Sequence, residues 1–250
     1  MGRSEEDIAA YRGKLLGTPF RRCAHTRFHP VLSSGKDMSQ NPMFRAFTRV
    51  EGHYTRLLRH YGDTAEGADW TSRETRERRF TILAEVGLAR DAKVLDFGCG
   101  TGELLGFLRR ELNYCGQYVG WDLSNPVLDV ARAKFPEARF EYREILSHGM
   151  PEDFDCILAS GTFNVDYGHA ELFLHQALPL LYRHTRHALA FNLLSTCAEA
   201  RKSGLYYAEP ETIFRFCRQH LSTQITLRHD YRIKPSLPPY DFTVYVYRQR

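Results

Sequence analysis

The chain has 250 residues with a net charge of +4, and its six cysteines include no Cys-x-x-Cys pair. This length suits one large α/β domain, or one domain with a cap, that buries enough apolar surface to fold without disulfides. The scattered cysteines exclude zinc-ligand spacing and a secreted disulfide framework, and with no signal-peptide pattern or long apolar run we expect a cytoplasmic protein without metal.

Residues 1–90 are predicted to form a helical cap or lid. Helical patterns cover 5–17, 43–61 and 73–87, with an irregular segment over 18–41. The basic excess lies in this part, which carries 16 Lys and Arg against 11 Asp and Glu. Because the cations are interleaved with acids, as on a solvated helix face, we do not expect nucleic acid as a partner; an anionic or nucleic-acid substrate is the alternative.

Residues 91–250 are predicted to form the core domain. Strand-like and helical patterns alternate, which predicts a parallel sheet with right-handed crossovers. Two final β-rich runs, at 225–232 and 242–247, are joined without a helix and must pair antiparallel. We therefore predict an α/β fold with a Rossmann-like, seven-stranded, mostly parallel sheet and an antiparallel last strand. The other strand-like runs lie at 93–97, 117–121, 138–142, 154–159 and 188–194, and the helical patterns at 103–112, 125–135, 170–186 and 209–221.

The segment over 94–104, VLDFGCGTGEL, carries the strongest functional pattern. An apolar run is interrupted by Asp96, three glycines follow at every second position, and a helical pattern begins. Glycines allow a sharp turn and close approach to a ligand, and this turn follows a strand's carboxyl end, where open α/β sheets bind ligands. Asp122 closes the next apolar run, where an acid can accept hydrogen bonds from both ribose hydroxyls of a nucleoside. The three glycines are Gly98, Gly100 and Gly102.

Two other nucleotide-binding patterns fit this segment poorly. The dinucleotide fingerprint requires its third glycine one position later, where Glu103 stands and would repel a diphosphate. The Walker pattern fails because no Gly-Lys-Ser/Thr follows. The segment instead resembles motif I of class I S-adenosylmethionine (SAM)-dependent methyltransferases. This resemblance covers roughly residues 80–250, and its motifs are specific for SAM and silent about the acceptor.

Two further segments match this family in the expected order. Glu144 and Ile145 follow the third strand, where similar methyltransferases place an acid against the adenine amino group and an apolar neighbour against the ring. The alternative is an exposed acid in a loop. The loop after the fourth strand, where the family positions the acceptor, lacks the Asn-Pro-Pro-Tyr signature of enzymes that methylate exocyclic amines of bases.

The resemblance implies SAM as the cofactor and S-adenosylhomocysteine as its product. Arg79 is expected to reach the carboxylate of SAM, and Trp70 to cover the cofactor. An equally open interpretation makes Trp70 and Phe80 packing residues and Arg79 a surface cation. The remaining expected cofactor-binding residues are Asp96, Gly98, Cys99, Gly100, Gly102, Asp122, Leu123, Glu144, Ile145 and Ser160.

The acceptor is expected to contact residues after strands four and five. His169 is the catalytic base candidate because its unperturbed pKa lies near neutrality, although it can equally cap the following helix. The long connection over 192–207 is also a functional candidate; its tyrosines can equally anchor it on the core. The other catalytic candidates are Asp166 and Tyr167, and the substrate-binding candidates are Asn164, Asn192, Tyr206 and Tyr207.

We predict transfer of a methyl group from SAM to a hydroxyl or nitrogen of a small molecule, such as a secondary metabolite or a sugar. The methyl donor is already activated, so the protein mainly aligns the reactants. Two alternatives stay open. One is an RNA or protein methyltransferase that uses the basic cap, and the other is a SAM-binding module without catalysis.

Overall fold

The structure, a computed structural model, describes residues 42–249. Two helices precede the sheet: α1 over Pro42–Tyr61 and α2 over Arg73–Ala84. Ser72 caps α2, because its hydroxyl accepts a hydrogen bond from the Thr75 N–H at 3.2 Å. The helix expected at 5–17 and the irregular segment at 18–41 lie outside the described residues, and the division into a cap and a core stays a prediction.

A single sheet of eight strands forms the centre of the described chain. Its bounds are β1 Val94–Phe97, β2 Tyr118–Asp122, β3 Arg139–Tyr142, β4 Phe154–Ala159, β5 Thr185–Ser195, β6 Tyr207–Ala208, β7 Ile225–Arg228 and β8 Asp241–Tyr247. The helices between them are α3 Glu103–Leu112, α4 Asn125–Lys134, α5 Ile145–His148, α6 Ala170–Arg183 and α7 Pro210–His220.

The strand order is β3-β2-β1-β4-β5-β8-β7, with β6 paired to β5. The first five strands are parallel, and β8 runs antiparallel to both β5 and β7. The predicted α/β fold with an antiparallel last strand is therefore confirmed. The two-residue β6 and the four-residue α5 were not predicted, because elements this short carry no hydrophobic period.

The end of the chain differs from the expected hairpin. The predicted strand over 225–232 ends at Arg228, and 229–240 form a loop. This loop contains three prolines, which cannot donate to a strand ladder. It is nevertheless anchored, because the buried Tyr231 hydroxyl lies 2.7 Å from Thr243 Oγ1.

Apolar side chains cover both faces of the central strands. Leu95 and Trp121 belong to one buried cluster, and Val94 and Leu158 belong to another. This burial on two sides explains the continuous apolar runs in the sequence. It leaves the carboxyl edge of the sheet, where β1, β2, β4 and β5 end, as the place for polar chemistry.

Candidate active site

A cleft of about 820 Å³ lies at the carboxyl edge of the sheet. This volume falls in the upper part of the range of about 300–1,000 Å³ that is typical of small-molecule sites. Its walls come from α1, α2, the segment over 67–71, the turns after β1 to β5, and the loop between β7 and β8.

The glycine turn after β1 forms part of the cleft floor. Gly98 has φ of 80°, and a Cβ there would lie 2.4 Å from Thr162 Oγ1, so the turn packs tightly against the loop after β4. Gly100 has φ of 53°, lines the cleft, and has open space where a Cβ would project. Gly102 does not line the cleft, and a Cβ added to it would lie 3.0–3.1 Å from ring atoms of Phe135 and Phe140. Its expected contact with the ligand stays a prediction.

Asp122 lies at the end of β2 and is tied to the glycine turn. Its Oδ2 accepts a hydrogen bond from the Gly100 N–H at 2.9 Å, and its Oδ1 accepts one from the Ser124 N–H at 3.0 Å. Burial raises the pKa of Asp122, and the backbone donors counter part of that shift. Leu123 follows it in the cleft wall. The two oxygens keep further lone pairs for a ligand.

Asp96 is buried beneath this turn and lines the cleft. Burial raises the pKa of Asp96 to about 7, and the Tyr118 hydroxyl, which donates to Oδ2, works in the opposite direction. Cys99 is buried at the same place in the wall. Asp96 therefore changes its charge near neutral pH, which its position in the sequence did not reveal.

Glu144 and Ile145 lie together in the wall after β3, as expected. The carboxylate of Glu144 caps the short helix α5, accepting hydrogen bonds from Leu146 N–H at 2.7 Å and Ser147 N–H at 2.9 Å. Glu144 is buried and not an exposed loop acid.

Arg79 is not a surface cation. It is buried and forms a bidentate ion pair with Asp241, with Nε–Oδ2 at 2.5 Å and Nη2–Oδ1 at 3.1 Å. Its Nη1 donates to the carbonyl oxygen of Thr75 at 3.1 Å. Trp70 stacks on its guanidinium at 4.9 Å, packs under Gly161 and lines the cleft. Arg79 reaches the cleft, but its charge is neutralised by Asp241.

Two of the residues expected to contact the acceptor, Asn192 and Tyr206, make hydrogen bonds within the protein. Asn192 is fully buried and does not line the cleft; its Oδ1 accepts from Gly161 N–H at 2.7 Å, and its Nδ2 donates to Ser160 Oγ at 3.3 Å. It thereby fixes the loop after β4. Tyr206 packs on the apolar core and donates its N–H to the carbonyl oxygen of Asn164 at 2.9 Å. The other expected residues, Asn164, Ser160 and Tyr207, do line the cleft.

Two of the three catalytic candidates lie away from the cleft lining. His169 occupies the position before α6, which agrees with the interpretation that it begins that helix, although its side chain makes no capping hydrogen bond. Asp166 is exposed and accepts a hydrogen bond from Gly168 N–H at 2.7 Å. Tyr167 does line the cleft.

A different histidine takes part in the cleft wall. His53 of α1 lies there with Asp69, and its Nε2 is 3.0 Å from Asp69 Oδ2. The rings of Tyr54 and Tyr167 lie edge-on to its imidazole, with centroids 5.2 and 6.3 Å away. The sequence analysis missed this pair, because the two residues are 16 positions apart with a turn between them.

The comparisons with known proteins agree with this geometry. A family profile described as a methyltransferase domain matches residues 94–187. A protein of Mycobacterium tuberculosis that is named as a methyltransferase is 30% identical over 167 residues, which cover 64% of this chain and 96% of the relative. This chain belongs to the class I SAM-dependent methyltransferases.

Solved structures show the same fold as this methyltransferase. Magnesium protoporphyrin IX methyltransferase from Synechocystis, with bound SAM, matches with a TM-score of 0.59 and 14% identity over 87% of this chain and all of that one. The plantazolicin methyltransferase BpumL, in complex with S-adenosylhomocysteine, matches with a TM-score of 0.55 and 12% identity over 82% of this chain and 99% of that one. As a member of the class I SAM-dependent methyltransferases, this protein uses SAM as its cofactor.

A second arginine of α2, Arg76, also stands at the cleft, and the sequence predicted no role for it. It is buried, lines the cleft beside the glycine turn, and pairs with Glu103 at 2.5 Å through Nη2. Its Nε is buried without a hydrogen-bond partner among residues 42–249. A buried donor without a partner is costly, so this atom fits an anionic ligand group such as a carboxylate. The signal was present in the sequence, because Arg76 and Arg79 stand one helical turn apart on α2.

No set of three or more His, Cys, Asp or Glu residues in the described part of the methyltransferase is arranged to hold a metal ion. Within that same part, every helix is too short or too polar to cross a bilayer.

Proposed function

We propose that this methyltransferase transfers the methyl group of SAM to a hydroxyl or nitrogen of a small molecule. The observation that carries the proposal is the lining of the cleft, which combines the glycine turn with residues of α1 and of the loops after β4, β5 and β7. Aromatic rings from four separate segments take part in this lining, namely Trp70, Tyr167, Tyr207 and Tyr240. A space walled by rings on several sides suits a discrete molecule better than an extended polymer.

The cofactor half is proposed to use residues already grouped by the fold. Asp122 would accept the ribose hydroxyls, Glu144 and Ile145 would meet the adenine, and the backbone at Gly98 and Gly100 would pass along the ligand. We assign the carboxylate of SAM to Arg76 instead of Arg79, because Arg76 retains a buried donor without a partner whereas Arg79 is neutralised by Asp241.

Bound SAM supplies a methyl group on a positively charged sulfur, which is an excellent leaving group. The protein's part is to hold the acceptor atom in line and to exclude water, and positioning of this kind supplies about 7–11 kcal/mol of the barrier reduction. The loop after β4, which Asn192 holds through Gly161 and Ser160, provides one wall for that purpose. Structures with this fold include a methyltransferase named for magnesium protoporphyrin IX, so the fold accommodates a small-molecule acceptor.

The proposal is tested by incubating the purified protein with radiolabelled SAM and two sets of acceptors. One set contains hydroxylated and amino aromatic compounds and sugars; the other contains total RNA and a protein extract. We expect label in the small-molecule set and none in Asp122→Ala. Label only in RNA or protein, with an RNA affinity that falls steeply with salt, would establish the macromolecular alternative. SAM binding without label in either set would establish a non-catalytic module.

A further inference from the structure

We propose that His53, oriented by Asp69, is the general base of this enzyme, and that its acceptor is a phenol. This inference rests on the proposed small-molecule function and narrows it.

The backbone around Asp69 holds its carboxylate in place. Asp69 follows the 3-10 helix Glu66–Ala68 and adopts the left-handed conformation with φ of 60°. Its N–H donates to the carbonyl oxygen of Glu66 at 3.0 Å, and the next residue, Trp70, donates to Ala65 at 2.8 Å. A non-glycine residue at positive φ persists only where the surroundings enforce it. Asp69 is therefore an ordered partner for His53.

The contact with Asp69 also fixes which nitrogen of His53 can accept a proton. When Nε2–H donates to Asp69 Oδ2 at 3.0 Å, the lone pair resides on Nδ1. Within residues 42–249, Nδ1 has no hydrogen-bond partner. A carboxylate partner orients the imidazole and fixes its tautomer in catalytic histidines elsewhere, and Asp69 is placed to do the same for His53.

His53 lines the same cleft as Asp122 and the glycine turn, and its ring centroid lies 6.3 Å from that of Tyr167. The adjacent Tyr54 also lines the cleft, and its pKa is raised, first by burial and then by Asp69, Asp122 and Tyr167. Asp122 marks the proposed ribose position, and Tyr167 belongs to the loop after β4, where an acceptor would bind. The titratable groups that surround His53 are Asp69, Tyr54 and Tyr167.

The surroundings favour an aromatic hydroxyl over the other acceptors. Trp70 and Tyr167 lie beside the His53–Asp69 pair in the cleft, and rings offer stacking contacts to a ring. A neutral hydroxyl is a poor nucleophile and gains from a base, whereas a thiolate or a neutral amine needs none. A phenol has both a ring that can stack and a hydroxyl that gains from a base, so it is the acceptor class that these surroundings favour.

In the transfer of the methyl group to a phenol, each bond that forms is matched by one that breaks. The phenol O–H bond breaks, and its proton goes to Nδ1 of His53. The oxygen keeps the electron pair of the broken O–H bond and uses a lone pair to form the new bond to the methyl carbon. The electron pair of the broken carbon–sulfur bond stays on the sulfur, which becomes a neutral thioether. One proton is released to solvent from His53 for each methyl group transferred.

Paired acceptors test this role. A panel of substituted phenols and the matching thiophenols is offered to the wild type, His53→Gln, Asp69→Asn and the control His169→Gln, which changes a histidine outside the cleft. His53→Gln is expected to lower kcat on phenols by about 10²- to 10⁴-fold, with KM changed less than about threefold, and to leave thiophenols within about threefold. The kcat of Asp69→Asn on phenols should lie between those of the wild type and His53→Gln, and the kcat of His169→Gln should match that of the wild type. Equal losses on phenols and thiophenols would overturn the base assignment.

A second readout does not depend on turnover. In the complex with S-adenosylhomocysteine, 4-nitrophenol is titrated into each variant and its phenolate absorbance is recorded against pH. A base at His53 should shift the bound chromophore to phenolate at lower pH than in free solution, and His53→Gln should abolish the shift. Ionisation unchanged by His53→Gln would refute the proposal. Methylation of thiophenols or amines without any phenol would refute the phenol class and leave the proposed function intact, whereas no methylation of any acceptor would refute the proposed function itself.

Discussion

Arg79 and Asp241 form a buried bidentate ion pair that joins α2 to the first residue of β8, across 162 positions of sequence. The side chains of the pair are 6% and 0% exposed. The pair therefore fixes the helix that also carries Arg76 against the sheet. Removing one partner leaves an uncompensated charge in the interior.

We expect Arg79→Met to lower the free energy of unfolding by about 3–5 kcal/mol, because Asp241 would remain buried and unpaired. Urea denaturation measures the loss, and the exposed neighbour Arg78→Met serves as the control. The double change Arg79→Met with Asp241→Leu should recover most of the stability. A stable single variant with weakened cofactor binding would instead support the original assignment of Arg79 to the SAM carboxylate.

Arg76→Gln is expected to act mainly on ligand affinity. A charge-assisted hydrogen bond is worth about 1.5–3 kcal/mol, so the dissociation constant for S-adenosylhomocysteine should rise by about 10- to 100-fold. Calorimetric titration checks this, with Arg73→Gln, an exposed arginine one turn earlier on α2, as the matched control. If both variants bind equally well, Arg76 does not contact the cofactor.

Asp122→Ala is expected to weaken binding of S-adenosylhomocysteine by roughly 1.5–3 kcal/mol for each ribose hydrogen bond lost. The change also removes the acceptor for the Gly100 N–H, so the glycine turn should become less ordered. Calorimetry measures the affinity, and amide hydrogen exchange at Gly100 reports on the turn. The exposed Asp129→Ala provides the control, and an affinity equal to that of this control would remove Asp122 from the ribose site.

Asp96 is expected to make stability depend on pH. Its pKa of about 7 lies above the ordinary value of 3.8, so the folded state holds this proton more tightly than the unfolded state. The contribution of protonated Asp96 to the free energy of unfolding is present in full below about pH 4 and is lost as the pH rises through about 7. The free energy of unfolding should fall by at most about 1.4 kcal/mol per pH unit in this range. Denaturation of the wild type and Asp96→Asn between pH 5 and 8 measures it. Parallel stability curves would show that Asp96 is ionised throughout this range.

Much of the fold could be predicted because the relevant signals are local. Apolar runs buried on two faces indicated the strands, and their alternation with helices indicated a mostly parallel sheet. The positions of Asp122 and Gly100 followed from topology, because parallel strands end at one edge. The prolines indicated that a loop precedes β8. They did not indicate that β7 ends early, at Arg228, because that end depends on the pairing of β7 with β8 alone.

The acceptor side could not be predicted in the same way. His53 and Asp69 meet where Asp69 adopts a positive φ, and no periodicity encodes that conformation. His169 is close in sequence to the loop after β4, yet it does not line the cleft. Arg76 and Arg79 both line the cleft, and what distinguishes them is the partner Asp241, which comes from the far end of the chain.

Helix α1 contacts both the segment after β2, next to the proposed donor position, and the loop after β4, next to the proposed acceptor position. Its Thr55 Oγ1 lies 3.0 Å from Ser124 Oγ, two residues beyond the acid at the end of β2, while His53 lies one side chain away from the acceptor loop. Any displacement of α1 that admits a bulkier acceptor also disturbs this hydroxyl contact. Donor and acceptor should consequently influence each other's affinity, and a broadened acceptor range gained by altering this helix would come with weaker retention of the methyl donor.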